Sequence, residues 1–176
     1  MITPYRIQLR NKIDGYLLDL AEVKSWLRVS YDTDDALLQS LIEGAETLFE
    51  EYTGRTVSKA NISLVYKGED INEKIISLPY PPMVGVLASY GDSYSNALHF
   101  EFNTANNTVV ITDDTSEYNE VVIAYEAESN GTDKIGIKIL LLQIIALMYD
   151  NRGDVNYSID ISQIKGIQKY NMKGWF

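Results

Sequence analysis

Residues 33–54 read TDDALLQSLIEGAETLFEEYTG, and this stretch carries the clearest structural signal in the chain. Its apolar residues recur at spacings of three and four, which is the period of one face of an α-helix. These residues are Leu37, Leu38, Leu41, Ile42, Ala45, Leu48, Phe49 and Tyr52. The pattern predicts a long helix that packs its apolar stripe against a core.

The ends of this stretch carry the residues that start and stop helices. Thr33 is the predicted N-cap, and the acids that follow it favour the positive end of the helix dipole. Gly54 follows the last apolar residue, where a left-handed cap is favoured. The remaining acids predict a solvated polar side made of Glu43, Glu46, Glu50 and Glu51.

Two further helices are predicted on either side of this one. A short helix starts at Asp19, with Glu22 three residues later as a variant of the capping box, and ends near Val29. A third helix is capped by Thr132 or Asp133 and runs to about Asn151. It is apolar nearly all round, which predicts a central core helix, and its apolar stretch is shorter than the roughly 20 residues of a membrane span.

Between the helices the period changes from that of a helix to that of a strand. Leu98, Phe100 and Phe102 alternate with polar residues, and residues 103–107 are a plausible hairpin loop. Short β-rich runs also occur around residues 61–66, 75–78, 109–111 and 121–125. This region predicts a small antiparallel sheet inserted between the second and third helices.

The resulting prediction is an α+β protein: a small bundle of three main helices with an inserted antiparallel β-sheet and an apolar C-terminal tail. Residues 1–16 show no clear periodicity and are predicted to be an N-terminal arm. Residues 17–55 and 128–152 make the helical core, and residues 56–127 make the β insertion. Residues 153–176 are too apolar for an ordinary solvated tail, so we expect them either to pack on the protein's own helices or to dock on another molecule.

Charge and composition restrict the possible functions. The 176 residues carry a net charge of −10, which disfavours binding to DNA phosphate or to acidic membranes. The absence of cysteine excludes disulfides and cysteine-based metal sites. His99 is the single histidine, and it lies on the polar side of a predicted strand, so we expect it to be solvated.

No motif in the chain predicts catalysis, a cofactor or a metal. Asp32, Asp34 and Glu43 match positions 1, 3 and 12 of a calcium-binding loop, but the loop's ligand at position 5 and its glycine are replaced by Ala36 and Leu37. The segment Leu78-Pro-Tyr-Pro-Pro82 must be extended, and it favours a stiff bend between strands over a ligand for an aromatic groove.

The order of several short patterns resembles that of phage head-tail connector proteins. Residues 20–29, LAEVKSWLRV, are similar to the family's opening pattern, and they are followed by DTDDALL at 32–38 and EYTGR at 51–55. The run LPYPP at 78–82 resembles the entry to the family's β region. The end of the third helix, LMYDNR at 147–152, resembles the end of the family's last long helix.

The resemblance implies a structural adaptor in the neck of a virion, assembled in the host cytoplasm, rather than an enzyme. Its implied partners are a portal protein, stopper or tail-completion proteins, copies of itself in a ring, and genomic DNA that passes through without specific binding. It implies no membrane and no cofactor. The expected contact residues for the portal or a neighbouring subunit are Ile164, Ile167, Tyr170, Trp175 and Phe176.

Two alternatives to an adaptor remain open on the sequence. The first is another neck protein, such as a stopper or a tail-completion subunit, for which a β-barrel core is typical. The second is a small acidic regulator, such as an inhibitor that mimics DNA, which predicts one continuous acidic face.

Overall fold

The computed structural model describes Pro4 and residues 6–72, 74–92, 96–154 and 158–171, with the backbone alone at Gln8 and Leu9. The fold is α+β, as the sequence predicts, and it consists of two compact units. The β unit comprises Met1–Gly15 and Ser58–Ser129, and the helical unit comprises Tyr16–Val57 and Asn130–Phe176.

The elements follow the chain in a simple order. They are β1 (Arg6–Lys12), α1 (Leu20–Leu27), α2 (Asp35–Thr53), β2 (Ala60–Tyr66), α3 (Gly68–Ile71), β3 (Ile75–Ser77), β4 (Met83–Gly91), β5 (Asn96–Ala97), β6 (Phe100–Asn103), β7 (Thr108–Ile111), β8 (Val121–Ala127) and α4 (Gly131–Asp150), and then two short 3₁₀ helices at Ile161–Gln163 and Ile167–Tyr170.

Of the predicted capping residues, those at the start of α1 and the end of α2 are confirmed, whereas those at the starts of α2 and α4 are wrong. Asp19 and Glu22 form the complete capping box of α1, and Gly54 adopts the left-handed conformation after α2. Helix α2 starts after Asp34 rather than Thr33. Helix α4 starts after Asn130 rather than Thr132 or Asp133, because the Asn130 side chain accepts a hydrogen bond from the Asp133 N–H.

The core of the helical unit lies where α2 and α4 pack together. Leu38, Ile42 and Phe49 from α2 are buried, together with Ile137 and Ile144 from α4. Leu41 and Leu142 contribute only partly buried side chains to the same cluster. The central position predicted for the third helix is confirmed, because six of its side chains are buried.

The polar side predicted for α2 is wrong at two positions. Glu43 and Glu51 are exposed, but Glu46 and Glu50 are buried. Each buried carboxylate accepts a hydrogen bond from a backbone N–H, Glu46 from Leu17 at 2.8 Å and Glu50 from Val57 at 2.8 Å. Burying a carboxylate costs much less when it accepts hydrogen bonds than when it has no partner. These hydrogen bonds therefore allow Glu46 and Glu50 to lie in the interior.

The described residues of the β unit form two antiparallel sheets where the sequence predicts one. The larger has the strand order β1-β2-β8-β4-β5, and the smaller has the order β3-β7-β6. The predicted loop at residues 103–107 joins β6 to β7, with Asn103 opposite Thr108. The β-unit core contains Ile62, Leu64 and Ile123, while Tyr66 and Tyr125 are its largest buried side chains.

The N-terminal segment differs from the predicted arm. Residues 6–12 form β1, which pairs with β2 along its length, with Arg6 opposite Val65 and Lys12 opposite Ala60. Arg6 also forms an ion pair with Glu120 at 3.0 Å. An edge strand is held mainly by backbone hydrogen bonds, which do not require alternating apolar side chains. Strand β1 therefore could not be recognised from the periodicity of its sequence.

Candidate interaction surface

Three of the five predicted contact residues of the C-terminal tail are buried within the helical unit. Ile164 is 6% exposed, Ile167 is 0% exposed and Tyr170 is 2% exposed, and all three belong to the core of the helical unit. Their burial does not support a docking role for these three side chains. Trp175 and Phe176 lie outside the described residues, so their docking role stays a prediction.

Tyr170 is held in place by contacts on three sides. Its ring lies 5.9 Å from that of Phe49, and the Arg55 guanidinium lies 5.7 Å from its centroid. Arg55 is fixed in turn by an ion pair with Asp133 at 2.7 Å. The Tyr170 hydroxyl approaches Gly136 so closely that a Cβ there would overlap it. The glycine is therefore required by packing inside a helix.

The C-terminal segment runs along α4 from its second half to its first half. Ile159 and Ile164 line the same groove as Ala146 and Leu147, near the end of α4. Tyr170 lies against Gly136, near the beginning of α4. The chain that continues beyond Asn171 therefore starts at the opposite end of α4 from Leu147.

A groove opens on the helical unit between α1, the end of α4 and the first part of this C-terminal segment. It has a volume of about 660 Å³. Its apolar wall consists of Trp26, Ala146, Leu147, Ile159 and Ile164, and its polar lining includes Asp150, Asp160 and Lys165. We call it the Trp26 groove.

Large apolar side chains remain in contact with water along this part of the helical unit. Trp26 is 50% exposed and Leu147 is 39% exposed. Ile135 and Ile139, farther along α4, are 69% and 48% exposed. A second, shallower recess brings Trp26 together with Leu142. Exposed apolar side chains that lie close together are typical of surfaces that bind a partner, and we refer to these as the apolar strip.

The sequence contained a signal for this strip that its interpretation missed. Helix α4 is apolar nearly all round, which predicted the central helix of the core. The core needs only part of that circumference, so Ile135, Ile139 and Leu147 are left outside it. Helix α4 has more apolar residues than one buried helical face can hold, and this excess was the signal that some of them would stay exposed.

The two acids that match the first ligand positions of a calcium-binding loop, Asp32 and Asp34, are hydrogen-bonded to other side chains. Lys24 Nζ lies 2.6 Å from a carboxylate oxygen of Asp32 and 2.6 Å from one of Asp35. These hydrogen bonds raise the pKa of Lys24, and the hydrogen bond from Lys24 lowers the pKa of Asp32. Asp34 accepts a hydrogen bond from the Tyr149 hydroxyl. The Lys24 ammonium group thus already neutralises the carboxylates of Asp32 and Asp35.

His99 is exposed in the β unit and interacts with Asp113. The Asp113 carboxylate accepts a hydrogen bond from the His99 backbone N–H at 2.7 Å and lies 3.1 Å from His99 Nδ1. The backbone hydrogen bond from His99 is the main reason that the pKa of Asp113 is lowered. Across the described residues, no group of three or more His, Asp or Glu side chains is arranged to hold a metal ion.

None of the helices in the described part of the chain is long and apolar enough to cross a membrane.

The fold is similar to that of proteins in gene transfer agent particles. Chains from the neck of an empty particle computed with C6 symmetry and from the virion of a native particle each share 16% identity with this chain, at a TM-score of 0.67. A chain from the neck of a native particle computed with C12 symmetry shares 15% identity at a TM-score of 0.68. Each match covers 93% of this chain and 95% of the other.

No curated protein matches the chain significantly. The sequence does match the family described as Phage gp6-like head-tail connector proteins, and the match extends over residues 18–171. It includes all four helices and every strand except β1. This chain therefore belongs to the family of Phage gp6-like head-tail connector proteins.

Proposed function

We propose that this protein is the adaptor subunit of a phage neck, forming a ring below the portal that extends the DNA channel and receives stopper or tail-completion proteins. The observation that carries the proposal is the shared fold with neck chains over 93% of this chain and 95% of theirs. Those neck structures have C6 and C12 symmetry, which supports a ring of copies here. The site of action is the neck of the virion.

The exposed apolar strip on the helical unit supports an assembled protein. Trp26, Ile135 and Ile139 are each about half exposed or more, which is costly for a subunit that stays alone in water. Ring interfaces join two different surfaces of each subunit, and such interfaces have buried aromatic and aliphatic centres. The strip provides one surface of this kind.

The net charge of −10 supports the role of a passage for DNA. A negative wall repels phosphate and prevents the genome from adhering while it moves. The same charge makes copies repel each other at low ionic strength, so the ring depends on salt and on its partner. We propose that the isolated protein is a monomer or a weak oligomer and that the portal stabilises the ring.

A structural role without catalysis is the function that the family supports. The single histidine is exposed and hydrogen-bonded to Asp113, and the conspicuous acids near α2 are bound to Lys24, Tyr149 or backbone N–H groups. These side chains serve folding and solubility.

Electron microscopy of the protein mixed with its portal tests the proposal. Rings stacked on the portal, with the channel continued through them, are the expected result. Binding to the tail end of an already completed neck, with no affinity for the portal alone, would identify a stopper or tail-completion protein instead. Tight one-to-one binding of a basic nuclease would favour the regulator.

A further inference from the structure

We propose that two copies of the free protein pair through α4, with Ile135 of each copy inserted into the Trp26 groove of the other. The two helices run antiparallel and are related by a two-fold axis, so each contact occurs twice. The pair concerns the protein before assembly and does not depend on the proposed ring. The weak oligomer expected in isolation is then a dimer.

The shape of the exposed face of α4 is the first argument. Ile135, Ile139, Gln143 and Leu147 are all exposed and follow one another at intervals of four residues. Side chains at this spacing form a ridge on a helix surface, and such a ridge packs into the groove beside the corresponding ridge of another helix. The face therefore suits a second helix as its partner.

The identity of that helix is the second argument. Within the described part of the chain, α1 and α2 each expose one large apolar side chain, Trp26 and Leu37, whereas α4 exposes three. Ile135 is the most exposed of these three, at 69%. It lies 8 residues before Gln143, where the groove begins on the same helix, and that is about 12 Å along the axis. Ile135 therefore reaches a Trp26 groove when the groove belongs to a second copy.

The distribution of charge along α4 selects the antiparallel direction. Lys138 and Lys169 lie beside the first half of the helix. Asp150 and Asp160 line the groove beside the second half, where Lys165 offsets one of the two acids. An antiparallel pair places the basic half of each copy against the acidic half of the other, whereas a parallel pair would place like charges together.

A two-fold contact uses the same patch on both copies, so it ends at two subunits and covers the apolar strip of each. In the proposed ring the strip contacts a different surface of the neighbour. A pair must therefore separate before its subunits enter a ring, and binding to the portal would drive that separation. This consequence alone rests on the proposed function.

Sedimentation equilibrium of the isolated protein, without the portal, tests the pair and leaves the proposed function untouched. We expect a reversible equilibrium between monomer and dimer. Ile139→Glu should raise the dissociation constant at least about tenfold, because the substitution removes an apolar contact twice. Leu37→Glu, on the exposed side of α2, adds the same charge and should leave the constant unchanged. A protein that stays monomeric at all concentrations, or equal effects of the two variants, would overturn the proposal.

A charge exchange tests the antiparallel direction with two exposed residues. Asp150→Lys and Lys169→Glu should each weaken the pair when studied alone, because like charges then face each other at both ends. Mixing the two variants should restore pairing as a heterodimer, since both ends then join opposite charges. A mixture that pairs no better than its components would contradict the antiparallel arrangement.

Chemical cross-linking locates the contact, and it is selective because the chain contains no natural cysteine. Gln143→Cys, treated with a short bismaleimide, should give covalent dimers in high yield. Gln39→Cys is the matched control, because it is also an exposed glutamine on a helix of the same unit. Equal yields of covalent dimer from the two variants would show that the copies do not meet through α4.

Discussion

The Glu50 carboxylate accepts a hydrogen bond from the Val57 backbone N–H at 2.8 Å, across the turn that follows α2. One helical turn earlier, Glu46 accepts a hydrogen bond at 2.8 Å from Leu17, which lies just before α1. Both acceptors are buried. Leu17 and Val57 lie within two residues of two of the three points where the chain passes between its two units. Helix α2 therefore fixes both of those chain segments through its own acids.

Removing either buried carboxylate should destabilise the protein. Glu50→Ala leaves the Val57 N–H buried without its acceptor, and Glu46→Ala does the same to Leu17. We expect each to lower the free energy of unfolding by about 1–3 kcal/mol, measured by urea denaturation. Glu51→Ala, on the exposed side of the same helix, is the matched control and should change stability by about 0.5 kcal/mol or less. Equal effects at Glu50 and Glu51 would contradict the structural role.

Gly136 should be intolerant of alanine because of Tyr170. A methyl group at Gly136 would overlap the Tyr170 hydroxyl, so Gly136→Ala should lower the melting temperature although alanine is the better helix former. Gly131→Ala, in the same helix with open space around it, should not. Tyr170→Phe removes the overlapping oxygen, and the double variant should recover much of the loss. Additive effects in this double-mutant cycle would mean that the two residues do not interact.

Tyr66→Phe should be neutral or slightly stabilising at pH 7. The Tyr66 hydroxyl is buried, and the structure shows no hydrogen-bond partner for it among the described residues. Replacing it with hydrogen removes a desolvated polar group, whereas Tyr125→Phe removes a hydroxyl that donates to the Pro79 carbonyl oxygen. We expect Tyr125→Phe to cost about 1 kcal/mol by chemical denaturation. The same cost at Tyr66 would reveal a partner for its hydroxyl.

Alkaline pH should lower the stability through these two tyrosines. Burial raises the pKa of both Tyr66 and Tyr125 above the usual value of 10.0. Above pH 10 the unfolded chain loses these protons while the folded chain keeps them, so the free energy of unfolding falls as pH rises. Each group contributes about half of 1.4 kcal/mol per pH unit at pH 10 and nearly all of it at pH 11, and each phenylalanine variant should reduce the slope by that amount. Stability measured at intervals from pH 9 to pH 11.5 should be nearly flat below pH 10 and fall above it, and an unchanged slope above pH 10 in the phenylalanine variants would contradict the burial.

Truncation should separate the folded part of the C-terminal segment from Trp175 and Phe176, which are predicted to contact the portal or a neighbouring subunit. Deleting residues 159–176 removes Ile164, Ile167 and Tyr170, whose burial contributes roughly 1.5–3 kcal/mol each, and should unfold or strongly destabilise the helical unit. Deleting residues 172–176 should preserve the circular dichroism spectrum and melting temperature but prevent rings on the portal. A short deletion that still forms rings would show that the ring does not need this segment.

The local sequence determined those features that depend only on residues close together in the chain, such as helix caps, turns and the apolar face of a helix. The capping box of Asp19 and Glu22, the left-handed Gly54 and the apolar stripe of α2 need only neighbouring residues to be recognised. The same holds for the loop between β6 and β7. The ordered set of patterns along residues 20–152 was sufficient to indicate the family, because each pattern records a helix end or a turn at a fixed spacing.

Tertiary structure decided the features that depend on partners distant in the chain. Residues 6–12 form a strand because they pair with the backbone of β2. Glu46 and Glu50 are buried because they accept hydrogen bonds from the N–H groups of Leu17 and Val57. Ile164, Ile167 and Tyr170 joined the core because α2 and α4 left space for them, including the missing Cβ of Gly136. Trp26 and Leu147 stayed in contact with water. Burial of an apolar side chain is favourable wherever it occurs, so the sequence alone does not tell which apolar side chains are buried. The packing of the folded chain determines which of them are covered and which stay exposed to bind another molecule.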